Sequence, residues 1–233
     1  MKIEREHYRR RDPKQSFDLN QRPESVNIMK TYPSISYATE CHVPIVAFDK
    51  LDGSNIRAEW TVKKGWHKFG TRTRLVDDTD PLFGQAPKLI TDKYGDALAR
   101  NLRNAGYERA MCFFEFWGPK SFAGMHDKDD ELTVTLFDVA PFKKGILEPD
   151  AYLKLVSDVD HAKVLYTGPV TPEFIENVRA STLPGMTFEG VVCKAKNDKK
   201  TQMPVMFKQK SRAWLDKLRT YCGSNSDLYN ALV

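Results

Sequence analysis

From residue 43 onward the chain alternates short apolar runs with amphipathic stretches. "VPIVAFDK" (43–50) predicts a buried strand, and "NIRAEWTV" (55–62) alternates as its hairpin partner should. "GWHKFGTRTRLV" (65–76) predicts a further strand. "APKLITDKYGDALARNLRNAG" (86–106) predicts one long helix, with Tyr94, Leu98 and Leu102 on one face and Gly106 just past its end. "RAMCFFEFWG" and "LTVTLFDVA" are strands by their β-branched and aromatic content, joined by the polar loop "PKSFAGMHDKDDE".

Two helical patterns follow, near "PDAYLKLVSDV" and "TPEFIENVRAST". The second has Thr171 as N-cap and Pro172 at its first position. "FEGVVCKAK" and "PVMFKQKS" predict two late strands, and residues 211–233 a terminal helix carrying Trp214, Leu215, Leu218 and Cys222. Runs of strands with interspersed helices predict one α+β domain of mostly antiparallel sheets flanked by helices over residues 1–233, with residues 1–30 as a polar arm.

Composition narrows the class. Hydrophobic residues at 41% and charged residues at 29% describe a soluble globular chain, and no apolar run reaches membrane-span length. The basic N-terminus has no apolar segment behind it, so no secretory signal is expected and a cytoplasmic location is. Four scattered cysteines, without Cys-x-x-Cys or histidine at ligand spacing, argue against zinc and a disulfide framework. A net charge of +5 is compatible with nucleic acid without demanding it.

Five stretches place polar residues inside or at the ends of apolar strands: "KLDG" (50–53), "GTRTR" (70–74), "FFEFWG" (113–118), "EGVVCK" (189–194) and "FKQK" (207–210). Lys50 and Asp52 face one side, as do Lys208 and Lys210, because strand side chains alternate. Inward lysines must meet something anionic, since an unpaired buried ammonium is too costly. Glu115 and Glu189 pose the same question with opposite sign. Several lysines, an arginine and two glutamates suit a nucleoside triphosphate with its divalent metal. Taken singly, each residue has an ordinary reading: Lys50 before an Asp-Gly turn, Glu115 facing water, Phe137 in the core, Arg9 to Arg11 as a solvated tail.

In order and spacing the five stretches resemble the covalent nucleotidyltransferase superfamily of ATP-dependent ligases and mRNA capping enzymes, and within it the RNA ligase 2-like family, over roughly residues 30–215. The resemblance implies that Lys50 attacks the α-phosphorus of ATP and carries AMP. Asp49 and Leu51 would contact the adenine, Arg72 and Asn55 the nucleotide, and Glu115 the ribose hydroxyls. Phe137 would stack on the base, Glu189 would serve a metal (Mg2+ or Mn2+), and Lys208 and Lys210 would contact the α-phosphate. Lys194, by strand parity, falls on the opposite face from Glu189 and carries less weight. The attacking lysine is expected to have a lowered pKa.

Asn55 in "DGSN" stands where DNA ligases and capping enzymes usually have arginine, which favours RNA. The implied activity is ATP-dependent joining of 5′-phosphate and 3′-hydroxyl RNA ends. A minimal DNA ligase, another end-adenylylating enzyme or a decayed nucleotide- or RNA-binding module are the alternatives. The 23 residues after Lys210 (211–233) are too few for an oligonucleotide-binding barrel or a separate helical domain. RNA would then be held by the arm, by the loop at 121–131 or by a partner protein.

Overall fold

A computed structural model describes residues 29–37, 41–119, 121, 131–198 and 205–233. The arm before residue 29, with Arg9 to Arg11, and most of the loop at 119–131 lie outside the described residues. The strands are β1 (Ile45–Lys50), β2 (Ser54–Thr61), β3 (Gly65–Gly70), β4 (Leu75–Val76), β5 (Arg109–Trp117), β6 (Thr133–Pro141), β7 (Val164–Gly168), β8 (Gly190–Lys194) and β9 (Met206–Lys210). The helices are α1 (Ala86–Tyr94), α2 (Ala97–Asn104), α3 (Pro149–Leu155), α4 (Pro172–Arg179), α5 (Arg212–Cys222) and α6 (Ser226–Leu232).

The strands form two sheets, ordered β7-β1-β8-β9 and β4-β3-β2-β5-β6, and all paired strands are antiparallel. This is the expected α+β class, with one correction of consequence. β1 and β2 are not a hairpin: β1 pairs with β7 and β8, and β2 with β3 and β5. Residues 51–53 carry the chain from one sheet to the other. Gly53 is required there by a close approach, because a Cβ would lie 2.4 Å from the Phe116 carbonyl oxygen.

Three smaller expectations also change. The stretch at 65–76 is two strands, folded back at Thr71–Arg74, where the Thr71 N–H donates to the Arg74 carbonyl at 2.9 Å. The long helix is two, interrupted at Gly95 and Asp96, residues of poor helix propensity. Both keep αR dihedrals, so Tyr94, Leu98 and Leu102 still share one fully buried face. The terminal helix is also two, broken after Cys222 where Gly223 takes φ 55°.

The larger core lies between the five-stranded sheet and the helices α1 to α3, with Trp60, Tyr94, Phe114, Leu136 and Tyr152 buried in it. A second cluster covers the outer face of the four-stranded sheet, where Ile45, Ala47, Val191, Cys193 and Phe207 meet Phe174 and Val178 of α4. Thr171 caps α4 as expected, its Oγ1 accepting from the Phe174 N–H at 3.0 Å. The inner face of the four-stranded sheet carries Phe48, Lys50, Val192, Lys194, Lys208 and Lys210, set by the register Phe48↔Val192↔Lys208 and Lys50↔Gly190↔Lys210. It looks into the gap between the sheets. No helix of the described residues is long and apolar enough to cross a membrane.

Candidate active site

The gap is a cleft of about 980 Å³, and it draws its lining from both sheets, the 29–37 segment and the C-terminal helices. Lys50, Asp49, Leu51, Asn55, Arg72, Glu115, Phe137, Glu189, Lys208 and Lys210 all line it. Residues dispersed from Asp49 to Lys210 are thus brought to one place.

At one end a single carboxylate serves two lysines. Glu189 Oε2 accepts from Lys50 Nζ at 2.7 Å, and Oε1 lies 3.0 Å from Lys210 Nζ. Lys210 Nζ also sits 3.4 Å from the centre of the Trp214 ring, a cation–π contact. Trp214 in turn donates its indole N–H to Asp52 Oδ1 at 3.2 Å, which ties α5 to the crossing between the sheets. Ser211 starts that helix: its hydroxyl donates to the Phe188 carbonyl at 2.7 Å and accepts from the Trp214 N–H.

Glu189 reaches these lysines because it precedes β8 and is followed by Gly190 at φ 139°. A Cβ on residue 190 would stand 2.1 Å from the Gln209 carbonyl oxygen, so only glycine fits. Strand parity therefore misplaces Lys194. It shares the inward face with Lys50, Lys208 and Lys210, and Glu189 enters from outside the alternation.

Burial and charge act differently on each group. For Lys50, burial opposes the charge, but Glu189, Glu115 and Asp52 outweigh it and hold the ammonium above its ordinary range. The expected lowering of its pKa is thus not found; the shift is upward. Lys210 goes the other way: burial, with Lys50 and Lys208 nearby, brings it down to about 8 despite Glu189. Lys208 is lowered as well, by burial and by Lys50. Burial pushes Glu115 up to about 8, with Glu189 and Asp52 adding to the rise and Lys50 resisting it.

Lys208 Nζ donates to the Val233 backbone oxygen at 2.7 Å and lies 4.9 Å from the Tyr37 ring centre; Tyr37 Oη donates to the same oxygen at 3.1 Å. Arg72 stands in the exposed Thr71–Arg74 turn at the rim. Asp49, although it lines the cleft, has its carboxylate engaged by the Thr187 N–H (3.0 Å) and hydroxyl (3.1 Å). The amide oxygen of Asn55 is buried without a hydrogen-bond partner among the described residues. Asn55 is opposite Glu115 in the β2–β5 register.

The other end of the cleft is aromatic. Phe137 is the extra residue of a β-bulge, since Phe113 pairs with Asp138 and Phe114 with Leu136. The bulge is held by Lys194, whose Nζ donates to the Phe137 carbonyl at 3.0 Å and to Asp138 Oδ2 at 2.7 Å. Tyr32 donates its hydroxyl to the same Asp138 oxygen at 2.8 Å and packs edge-on against Phe137. Lys194 and Asp138 are both buried, and the Lys194 ammonium lies 4.9 Å from the Phe48 ring centre. Tyr32 and Asp138, and the part Trp214 of the terminal helix plays in the site, are not marked by the ordered stretches. An aspartate inside the apolar run "LFDVA" was the available signal.

Among the described residues no three His, Cys, Asp or Glu side chains form a ready metal cluster. The donor chemistry nonetheless suits a hard divalent cation held partly by its ligand. Glu189 is an oxygen donor shared by two lysines, the Asn55 oxygen has no partner among the described residues, and Glu115 ionises poorly without added positive charge.

No protein-family model matches the chain, and no curated protein matches it. Solved structures do. An archaeal ATP-dependent RNA ligase superposes with a TM-score of 0.62 at 15% identity, covering 83% of this chain and 52% of the ligase. A Naegleria gruberi RNA ligase mutant with ATP and Mn superposes with a TM-score of 0.54 at 16% identity, covering 75% and 51%. The same ligase with PPi gives 0.54 at 17%, covering 84% and 63%. The chain has the fold of these ligases and spans about half the length of the first of them.

Proposed function

We propose that the protein is an ATP-dependent RNA ligase that joins a 5′-phosphate to a 3′-hydroxyl through a lysyl-AMP on Lys50 and an adenylylated RNA end. The observation that supports it most directly is the pairing of Lys50 and Lys210 across the two oxygens of Glu189, in a cleft that Lys208 and Arg72 also line. A surplus of cations at one end of a cleft with an aromatic at the other fits a triphosphate and a purine.

In the first step Lys50 Nζ forms a bond to the α-phosphorus, the bond from that phosphorus to the α,β-bridging oxygen breaks, pyrophosphate leaves and the amine loses a proton. The lone pair is available only on the neutral amine. Lys50 is held protonated by Glu189, Glu115 and Asp52, so attack requires that Glu189 be drawn away. Glu189 and the Asn55 oxygen are the groups that would hold a divalent cation, which would offset phosphate charge there. Lys208 and Lys210 would neutralise oxygens of the reacting phosphate, Lys208 exchanging its bond to the Val233 oxygen for one to phosphate. Phe137, set by its bulge, would stack on adenine, and Glu115 would meet the ribose. AMP then passes to an RNA 5′-phosphate, and a 3′-hydroxyl displaces it.

Incubation with α-labelled ATP and a divalent metal, followed by intact-mass analysis and a panel of 5′-phosphorylated RNA and DNA strands, tests this reading. The expected result is one added AMP, absent in Lys50→Ala, and transfer to RNA in preference to DNA. An adduct that survives in Lys50→Ala overturns the assignment.

A further inference from the structure

The end of the five-stranded sheet away from Lys50 carries a surface of a different kind. β2 leaves the cleft at Ser54 and ends at Thr61, which pairs with Arg109 at the start of β5; Ala110 pairs with Pro141 at the end of β6. The adjoining loops are stitched together there. The Val62 N–H donates to the Glu108 carbonyl at 3.0 Å, and the Phe142 N–H to the Arg109 carbonyl at 2.9 Å.

Six cations meet at this edge: Lys63, Lys64, Arg103, Arg109, Lys143 and Lys144. Among the described residues Glu108 is exposed beside them and Glu59 is buried, taken up by Arg109 (2.7 Å) and His67 (3.1 Å). Phe142 stands among the cations 57% exposed. The Arg109 guanidinium and the Lys143 ammonium lie 5.1 and 5.5 Å from its ring centre, and Lys144 lies 5.0 Å from that of Tyr107.

The turn that presents Phe142 is strained. Lys143 has φ 65°, in the left-handed region that side chains other than glycine, asparagine or aspartate rarely adopt, and the Lys144 N–H closes the turn onto the Pro141 carbonyl at 3.0 Å. A merely solvated basic face has no need of an exposed aromatic held out by a strained turn. Aromatic faces flanked by cations are what a single-stranded nucleic acid uses: bases stack on the rings while phosphates meet the ammonium groups.

We propose that Phe142 and Tyr107, with Lys63, Lys64, Lys143 and Lys144, form a docking surface for single-stranded RNA remote from the nucleotide cleft. The choice of RNA rests on the ligase reading; the stacking and phosphate chemistry do not. β2, eight residues long, separates patch and cleft by roughly 26 Å at ~3.3 Å per residue. That is about eight nucleotides of a stacked strand at ~3.4 Å each, so one RNA can be gripped here while its end lies at Lys50.

The test is fluorescence anisotropy of the full chain with a labelled, unstructured 5′-phosphorylated RNA in the absence of ATP, across a salt series. Phe142→Ala is expected to weaken binding about 5- to 150-fold, the range of one lost base–aromatic stack. Lys143→Gln with Lys144→Gln should weaken it and lower the slope of log K against log salt by about 1.4, two phosphate contacts at ~0.7 each. Both proteins should keep the wild-type melting curve and the wild-type rate of AMP adduct formation. RNA affinity and salt slope unchanged in these variants overturn the proposal, as does a wild-type chain that binds no RNA. Equal affinity for polyglutamate also overturns it, in favour of an acidic protein partner. Patch-dependent RNA binding without any AMP adduct would fault the ligase reading and leave the patch standing; the converse faults the patch alone.

Discussion

Lys194 and Lys210 sit on the same face of the same sheet, on adjacent strands, and are equally buried at 3% exposure. Their circumstances differ entirely. Lys194 has a carboxylate of its own, Asp138, and a carbonyl besides, with Tyr32 completing the aspartate's bonds. Lys210 shares Glu189 with Lys50, next to Lys208, so that three ammonium groups crowd one carboxylate. The first arrangement is closed and positions Phe137. The second leaves three ammonium groups beside one shared carboxylate, and the phosphates of the proposed nucleotide would complete it. A buried lysine is therefore not in itself a sign of chemistry; the sign is a shortage of counter-charge.

The strongest way to break the comparison is at the open end. Lys50→Ala should abolish the AMP adduct, a loss of at least about 1000-fold in labelled-ATP assays, because no other group supplies the bond. Melting temperature should change little.

At the closed end the expectation reverses. Lys194→Met leaves Asp138 buried with one partner removed and should cost about 3–5 kcal/mol in urea unfolding. Lys194→Met with Asp138→Leu should recover most of that loss. Lys210→Met, by contrast, should stay within about 1 kcal/mol of wild type in stability while losing most adduct formation. Equal destabilisation by the two methionines would erase the distinction.

Titration sharpens it further. Lys210 is lowered to about 8 in the folded chain from an ordinary 10.5, so below pH 8 both states carry the charge and the full penalty applies. Between those values the unfolded chain binds the extra proton, and this group makes stability rise with pH. Lys210→Met should remove that rise in unfolding curves taken from pH 8 to 10.5. Glu115, raised to about 8 from 4.5, has the opposite sign: the folded chain holds the proton, and stability falls as pH climbs through that window. Glu115→Gln should flatten the fall.

The smallest effect is expected at Phe137. Alanine there should raise the KM for ATP several-fold with little change in kcat, because a stacking contact present in ground and transition states alike is uniform binding.

Much of this was legible in the chain because it is local. Strand parity puts Lys208 and Lys210 on one face, and the ordered stretches carry Lys50, Arg72, Glu115 and Glu189, which meet them in the cleft. The antiparallel α+β class follows from the same alternation. What local pattern lacks is the choice of partner strand. "VPIVAFDK" and "NIRAEWTV" look like a hairpin because both alternate and an Asp-Gly lies between them; their membership in different sheets is decided by β5 and β8, far along the chain. β7, with its half-exposed edge pattern, has too weak an alternation to be noticed. Lys194 was discounted because counting by twos presumes an unbroken strand through Glu189, and the backbone at Gly190 breaks it.

Gly190 has a consequence for anyone who would vary this protein. In a saturation library, position 190 should read as an empty column: alanine meets the Gln209 carbonyl head-on, and every larger side chain does worse. The neighbouring Glu189 should still accept aspartate or glutamine as folded, soluble protein. Two adjacent letters would then fail for unrelated reasons, one at folding and the other at turnover. A screen that scores only survival could not tell them apart, whereas one that also records abundance would separate shape from chemistry one residue at a time.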